Sequence, residues 1–262
     1  MIIFIFLISI CIGSFINVLI YRLPKKEDFF ISRSYCPSCK HILYGKDLIP
    51  LLSYIQLKGK CRYCGNKISK QYLIIELISG ILGIFCYYRY GFNMNWILHF
   101  LVVELCISIS SIDIKYMIIP DELNIVIFIL GFIRILYYEL NLFEHILYSI
   151  GIPIIFMILN KFYIDCIGGG DIKFMFSIGF LLGKRIYISF LLGVFSASIY
   201  ALYLLLIKKY HRKSRFAFGP FLSLGNIVAI LYGNKLLRVY SLIFLPNNLP
   251  TSLKFGLTVK FI

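Results

Sequence analysis

Charge is what this chain has least of. Only 15% of its 262 residues are Asp, Glu, Lys or Arg, and just 12 are acidic. Soluble domains average about 25% charged and 45–50% apolar residues. Here 60% are hydrophobic, and the mean hydropathy is +0.86. A water-soluble globule of this size cannot hide so much apolar surface, and a disordered chain does not carry it. Histidine is scarce as well: there are four, dispersed, none beside a plausible nucleophile. The chain has no Ser/His/Asp set, no HExxH, no P-loop and no dinucleotide glycine fingerprint, which removes the commonest hydrolase and nucleotide chemistries. What remains is an all-α, polytopic membrane protein.

A helix needs about 20 apolar residues to cross the hydrocarbon. Spans are expected near Met1–Ile20, Tyr72–Tyr88, Trp96–Ile112, Asp121–Tyr138, His145–Asn160, Ile172–Gly183, Ile186–Ile207 and Pro220–Leu245, about eight in all. The sixth is short, since twelve residues rise only about 18 Å. The formal net charge is +15, from 27 Lys+Arg against 12 Asp+Glu. In a membrane chain that excess is first an orientation signal. The first span has its basic flank, Arg22, Lys25 and Lys26, after it, the reverse of a secretory signal peptide, so it reads as a retained span. Segment 22–71 holds eleven basic residues and 208–215 holds five. With Lys115 and Lys161 they are assigned to the cytoplasm. Arg89, Lys184, Arg185, Lys254 and Lys260 fall outside, as do both termini. The excess is expected to serve topology and anionic lipid; the basic residues sit beside spans, not on a nucleic-acid reading module, so no nucleic acid partner is expected.

Four expected regions follow: a first helix (1–21), a soluble insert (22–71), a membrane domain (72–245) and a tail (246–262). The insert is too small to build its own core, and such units use metal or disulfides. On the reducing side, metal is favoured. Cys36-Pro-Ser-Cys39 and Cys61-Arg-Tyr-Cys64 are two C-x-x-C pairs separated by 21 residues. Two such knuckles complete a tetrahedral four-thiolate zinc site, with no open position and hence a structural role. His41 is a further candidate ligand or an exposed loop histidine. Cys11, Cys86, Cys106 and Cys166 read as small packing residues.

Each carboxylate needs a place. Glu27, Asp28, Asp47, Glu139 and Glu144 read as solvated. Glu104 sits mid-span, as a functional acid or as the partner of a residue such as Arg134. Asp113 ends the third span, shortly before Pro120 and Asp121. Asp171 follows Gly168-Gly169-Gly170, two residues before Lys173. Both aspartates fall at the cytoplasmic membrane edge. Asp171 is either a helix N-cap or half of a catalytic pair; the glycines allow close approach of another segment. Two carboxylates in one site cannot both ionise cheaply, so one retains a proton. That arrangement suits peptide hydrolysis: one activates water, the other polarises the carbonyl and protonates the leaving amine. An ion-coupled transporter is the rival reading, but transporter acids usually lie near the midplane.

The motifs in order resemble the type IV leader peptidase family, the prepilin peptidases. Gly13-Ser14-Phe15-Ile16-Asn17-Val18 through Tyr21-Arg22-Leu23-Pro24 resembles its opening. The two cysteine pairs flank Ile49-Pro50-Leu51-Leu52-Ser53-Tyr54, with Gly59-Lys60 before Cys61 and Tyr72 and Glu76 beyond Cys64. The Asp113 and Gly-Gly-Gly-Asp171 segments are similar to the two peptidase motifs, and Phe218-Gly219-Pro220-Phe221 to a late one. The resemblance implies an aspartyl endopeptidase of a bacterial cytoplasmic membrane, with Asp113 and Asp171 catalytic and Gly168, Gly169, Gly170, Lys173, Pro120 and Asp121 in support. It implies prepilin and pseudopilin substrates, cut after a glycine just before their apolar helix. It implies as well N-methylation of the new terminus from S-adenosylmethionine, in the region of the insert, Gly59 and Glu76.

Overall fold

A computed structural model describes residues 1–28, 33–162, 167–207 and 216–244. The apolar runs become helices: α1 Ile2–Arg22, α3 Lys70–Tyr90, α4 Met94–Tyr116, α5 Asp121–Tyr137, α6 Leu142–Phe162, α7 Gly169–Leu182, α8 Ile186–Leu206 and α9 Gly219–Phe244. A short α2, Leu52–Gln56, lies in the insert. No strand forms among the described residues, only two isolated bridges. Among the described residues, five helical runs are long and apolar enough to cross a membrane, the last of them holding both α7 and α8. Cys166, the basic segment 208–215 and the tail 246–262 lie outside the described residues.

Local signals set the boundaries. Ser69 accepts the Gln71 N–H to open α3, and Asn93 accepts the Trp96 N–H to open α4. Such side-chain oxygens satisfy amides that the first helical turn leaves free. Gly91 ends α3 with φ at 71°, in the left-handed region where a β-carbon is penalised. α5 opens after Pro120 with Asp121 and Glu122, acids where the helix dipole favours them.

α4 is the central helix, with 72% of its most apolar window buried, against 22% for α6. It packs on α1, α3, α5 and α9. α1 meets α3 through small residues: a β-carbon on Gly83 would fall 1.9 Å from Ser9 Oγ. Close approach by small residues is how helices associate where lipid gives no hydrophobic drive. Glu104 is buried here and accepts from Ser79 on α3 at 2.8 Å. The suggested partner Arg134 points elsewhere, to the Leu181 carbonyl at 2.9 Å.

That contact explains the short sixth span. Fourteen residues rise about 21 Å, so α7 ends inside the bundle. Its last carbonyls take donors from the protein instead of water. His145 Nδ1 donates to Phe180 O at 2.7 Å, Arg134 to Leu181 O, and Arg185 Nε to Leu182 O at 3.4 Å. Arg185 is buried and also reaches Tyr90 and His99. His99 faces the Asn95 carbonyl with Nδ1, which assigns it the neutral tautomer that accepts at Nε2. Cations at a helix C-terminus are favoured by the dipole.

The helices alternate in direction. The ends of α1, α4, α6 and α8 and the starts of α3, α5, α7 and α9 therefore gather at the face that carries the insert. Lys115, at the end of α4, donates to Gln71, at the start of α3. Glu76 on α3 accepts the Leu51 N–H at 2.8 Å and ties the insert down.

Candidate active site

Asp113 lies in the last turn of α4 and is 6% exposed. Its Oδ2 accepts the Gly219 N–H at 2.8 Å. Gly219 is the first residue of α9, so this amide is one that the helix cannot use internally. Pro at the second position suits a helix start and adds no competing donor. Any β-carbon on Gly219 would lie 2.8 Å from the same carboxylate oxygen. Gly219 belongs to the site, although from sequence it was visible only as part of a late motif.

Asp171 sits in the first turn of α7. The N-cap is Gly168, and Asp171 donates its own N–H back to Gly168 O at 3.1 Å. The N-cap reading of Asp171 is therefore corrected: it stands three residues inside. Its Oδ1 is buried with no hydrogen-bond partner among the described residues. Asp113 lies within electrostatic reach of it. Of the glycines, Gly170 has the clearest job, since a β-carbon there would fall 3.1 Å from Ile119. That contact presses the start of α7 against the segment leading to Pro120. Around Gly169 there is open space. Asn160 holds the approach to the glycines by bonding both the N–H and the C=O of Ile167, each at 2.9 Å. No sequence signal marked Asn160, because its partner is set by the loop geometry.

Lys173 and Asp121 pair with each other at 2.7 Å, and both side chains are more than half exposed. They bind α7 to α5 at the rim. The chain thus brings Asp113, Asp171, Gly219 and the glycine tract to one end of the bundle, with Pro120, Asp121 and Lys173 around them.

The insert holds a second cluster. The Sγ atoms of Cys36, Cys39, Cys61 and Cys64 all lie within 4.8 Å of one another. A tetrahedral zinc with 2.3 Å bonds needs edges of about 3.8 Å, so the four thiols fit a metal ion. The two knuckles are copies of one shape. The Tyr35–Ile42 bridge frames the first and the Lys60–Lys67 bridge the second. In each, the residue after the second cysteine turns left-handed, Lys40 at φ 59° and Gly65 at 71°. Burial opposes the Cys36 thiolate, but the Cys39 and Ser38 amides and the Cys61 and Cys39 thiols outweigh it and bring Cys36 to about 7. The Asn66 amide favours the Cys64 thiolate, but burial and the other three thiols push Cys64 to about 11. The quartet shares protons that an ion would displace.

Other residues differ from expectation. Asp47 is not simply solvated: it accepts from Arg62 at 2.7 Å and Tyr63 at 2.9 Å. Glu27 accepts from Tyr35 at 2.6 Å. His41 is exposed and lies against the Tyr63 ring, centroids 3.7 Å apart, outside the thiol cluster. Cys86 and Cys106 are packing residues, fully buried, whereas Cys11 is exposed. Gly59 turns left-handed against Tyr54, and Glu76 is engaged by Leu51. Both hold the insert in shape.

Two family models match the chain. Residues 7–90 match the bacterial peptidase A24 N-terminal domain, and residues 100–205 match the type IV leader peptidase family. Among curated relatives, a Bacillus subtilis (strain 168) protein is 30% identical over 239 residues, covering 90% of this chain and 96% of its own length. A Vibrio cholerae protein is 36% identical over 194 residues, 68% of this chain and 76% of its own. A Legionella pneumophila protein is 27% identical over 271 residues, 89% and 92%. All three bear the name prepilin leader peptidase/N-methyltransferase. No solved structure matches.

Proposed function

The chain belongs to the type IV leader peptidase family, and from that premise we propose an aspartyl endopeptidase that cuts the basic leader from prepilin-like proteins. Asp113 and Asp171 are its catalytic pair. The observation that carries this reading is the Asp113–Gly219 hydrogen bond beside the unpartnered Asp171 oxygen, at the insert end of the bundle. One carboxyl takes a proton from water, which attacks the scissile carbonyl. The other, protonated, polarises that carbonyl and then protonates the leaving amine. The pair titrates as a unit. Gly219 fixes Asp113 in orientation, while the glycine tract and the Lys173–Asp121 pair with Pro120 fix the start of α7. A transporter reading gains nothing from an acid committed to a helix-end amide at the bundle's edge.

Apolar helices and bacterial relatives support a bacterial cytoplasmic membrane. The basic count supports an insert-side face in the cytoplasm, with both termini outside. There the site meets the junction between a basic leader and the apolar helix behind it, without drawing charge into lipid. A basic enzyme face does not attract a basic leader, so the +15 serves topology and anionic lipid. The division of labour we propose is a first helix (1–21), the insert (22–71), the peptidase domain (72–245) and the tail (246–262).

The family's second activity, N-methylation of the new terminus, is assigned to the insert and its junction with α3, near Gly59 and Glu76. S-adenosylmethionine is the proposed methyl donor. Zinc is the proposed ion of Cys36, Cys39, Cys61 and Cys64, holding that region in shape. The test is incubation of the purified protein with a prepilin and S-adenosylmethionine, read by product mass. The expected product lacks the leader and carries one added methyl group. Intact prepilin at the end of the incubation would refute the peptidase, and a cleaved but unmethylated product would leave a peptidase alone.

A further inference from the structure

The Asp113–Gly219 contact stands at the head of a lateral groove of 610 Å³, lined by α3, α4 and α9. α3 and α9 each pack on α4 but scarcely touch each other, so α4 is the floor and the gap between the outer helices is the mouth. The walls are apolar, chiefly Ile74, Ile78, Ile107, Leu224 and Ile227. Along α9 the lining runs from Pro220 to Val228, about 12 Å or two helical turns.

Hydroxyls interrupt these walls at one level. Ser110 and Ser111 come from α4 and Ser223 from α9. Ser110 is one turn before Asp113, and Ser223 one turn after Gly219. Because α4 and α9 run in opposite directions, both hydroxyls fall about 5 Å below the carboxylate. Ser223 is 1% exposed, and its Oγ has no hydrogen-bond partner among the described residues. A buried hydroxyl left unpaired is costly. A lipid chain in the groove offers it nothing. A peptide does, because unwinding the first turn of a membrane helix for proteolysis frees backbone groups that hydrocarbon cannot satisfy.

We propose that this groove receives the apolar helix that follows the leader, and that Ser223, with Ser110, hydrogen-bonds the backbone of its unwound first turn. The proposal rests on the peptidase reading and adds where the uncut part of the substrate lies. Ser223 is on this account a positioning residue, holding the scissile bond against Asp113.

The test places a photoreactive benzoylphenylalanine at Ile74 or Ile227 in the groove, and at Ile154 or Phe195 on outward faces elsewhere. Each is made in a full-length Asp113→Asn background, with Asp171→Asn as a second inactive background should the first fail to fold. Irradiation with prepilin is expected to label its apolar segment from the groove positions at least about tenfold more than from the others, the ratio given by 1.4 kcal/mol of preferred occupancy. In the active protein, Ser223→Ala is expected to lower kcat about tenfold with little change in KM, and Ser223→Thr to restore it, as fits a bond made to the unwound backbone. Equal labelling from all four positions means lipid fills the groove and overturns the proposal, as does full activity of Ser223→Ala. If the unaltered protein cleaves no prepilin, the peptidase reading itself falls and takes the groove with it. If it cleaves normally and only the labelling or the serine prediction fails, the groove falls alone.

Discussion

The two ends of α7 obey one electrostatic rule and finish differently. At the C-terminus, three carbonyls face Arg134, Arg185 and His145, so the negative end of the helix meets positive or polar donors. At the N-terminus, Asp171 supplies the negative charge that the dipole favours. But the charge that acts on it there is another acid, Asp113, and Asp171 Oδ1 has no partner among the described residues. The far end is not perfectly saturated either, since Arg134 Nε also lacks a partner among the described residues. The difference that matters is sign. Opposites meeting at one end give a fastening; like charges meeting at the other keep a proton and a place for water. The first arrangement serves stability; the second, on the proposed reading, serves chemistry.

The sharpest way to break that comparison is to neutralise the acidic end. Asp171→Asn and Asp113→Asn are each expected to lower leader cleavage by at least about a thousandfold, the scale lost when a member of a concerted catalytic set is removed. Neither should destabilise the protein in a detergent melt, because relieving two neighbouring acids removes a repulsion. Cleavage by either variant near the unaltered rate would end the pair assignment. A large drop in melting temperature for Asp171→Asn would mean that the acid fastens the helix, as the cations do at the other end.

The cationic end is expected to answer in the opposite currency. Arg185→Gln removes a charged donor from Leu182 O, Tyr90 and His99. A lost hydrogen bond to a charged group costs about 1.5–3 kcal/mol, so the variant should unfold at clearly lower denaturant. Cleavage per folded molecule should stay within about twofold, because the far end lies about 16 Å from Asp171 along α7. If activity falls with stability unchanged, the two ends are coupled and the division fails.

Much of this was legible beforehand, and the gaps have physical causes. Apolar runs report burial in lipid directly, so the expected spans meet the helices to within a few residues. The C-x-x-C pairs specify their own geometry, since each knuckle closes locally. Tertiary partners were not legible. Arg134 was one candidate partner for Glu104, but a mid-span acid does not announce which helix it will face, and the Arg134 guanidinium turns to the Leu181 carbonyl on α7. Glu104 also faces α3, where Ser79 meets it. The Gly219 amide was invisible for a related reason: a glycine before a proline announces a helix start, but not which carboxylate that start will hold. Asn160 and the donors at the end of α7 likewise depend on which loop lies opposite.

The thiol cluster tests the like-charge side of the comparison where an ion would settle the conflict. Four neighbouring thiols cannot all ionise unaided, and the spread between Cys36 at about 7 and Cys64 at about 11 expresses this. Metal binds thiolates and releases protons, so affinity must fall as pH falls. Acidifying from pH 7.5 to about 5 should release the ion, seen by a chromogenic chelator, and Cys36→Ser should release it at neutral pH. Retention at pH 5 would mean that these thiols are not the ligands.

The smallest effect is expected at the rim of the site. Lys173 and Asp121 stand beside the proposed catalytic pair in the motif, yet they are paired by charge and open to solvent. By the rule drawn from α7, a satisfied opposite-sign contact fastens and does not react. Exposed pairs of this kind contribute about 0.2–1 kcal/mol, and salt screens them. Lys173→Ala should therefore lower stability by no more than about 0.5 kcal/mol and cleavage by less than about threefold, with the deficit shrinking in high salt. Double replacement with Asp121→Ala should cost no more than either single change, because each removes the same contact. A loss in Lys173→Ala comparable to that of Asp171→Asn would place the lysine in the chemistry, and exposure and pairing would then be poor guides to which residues at this end react.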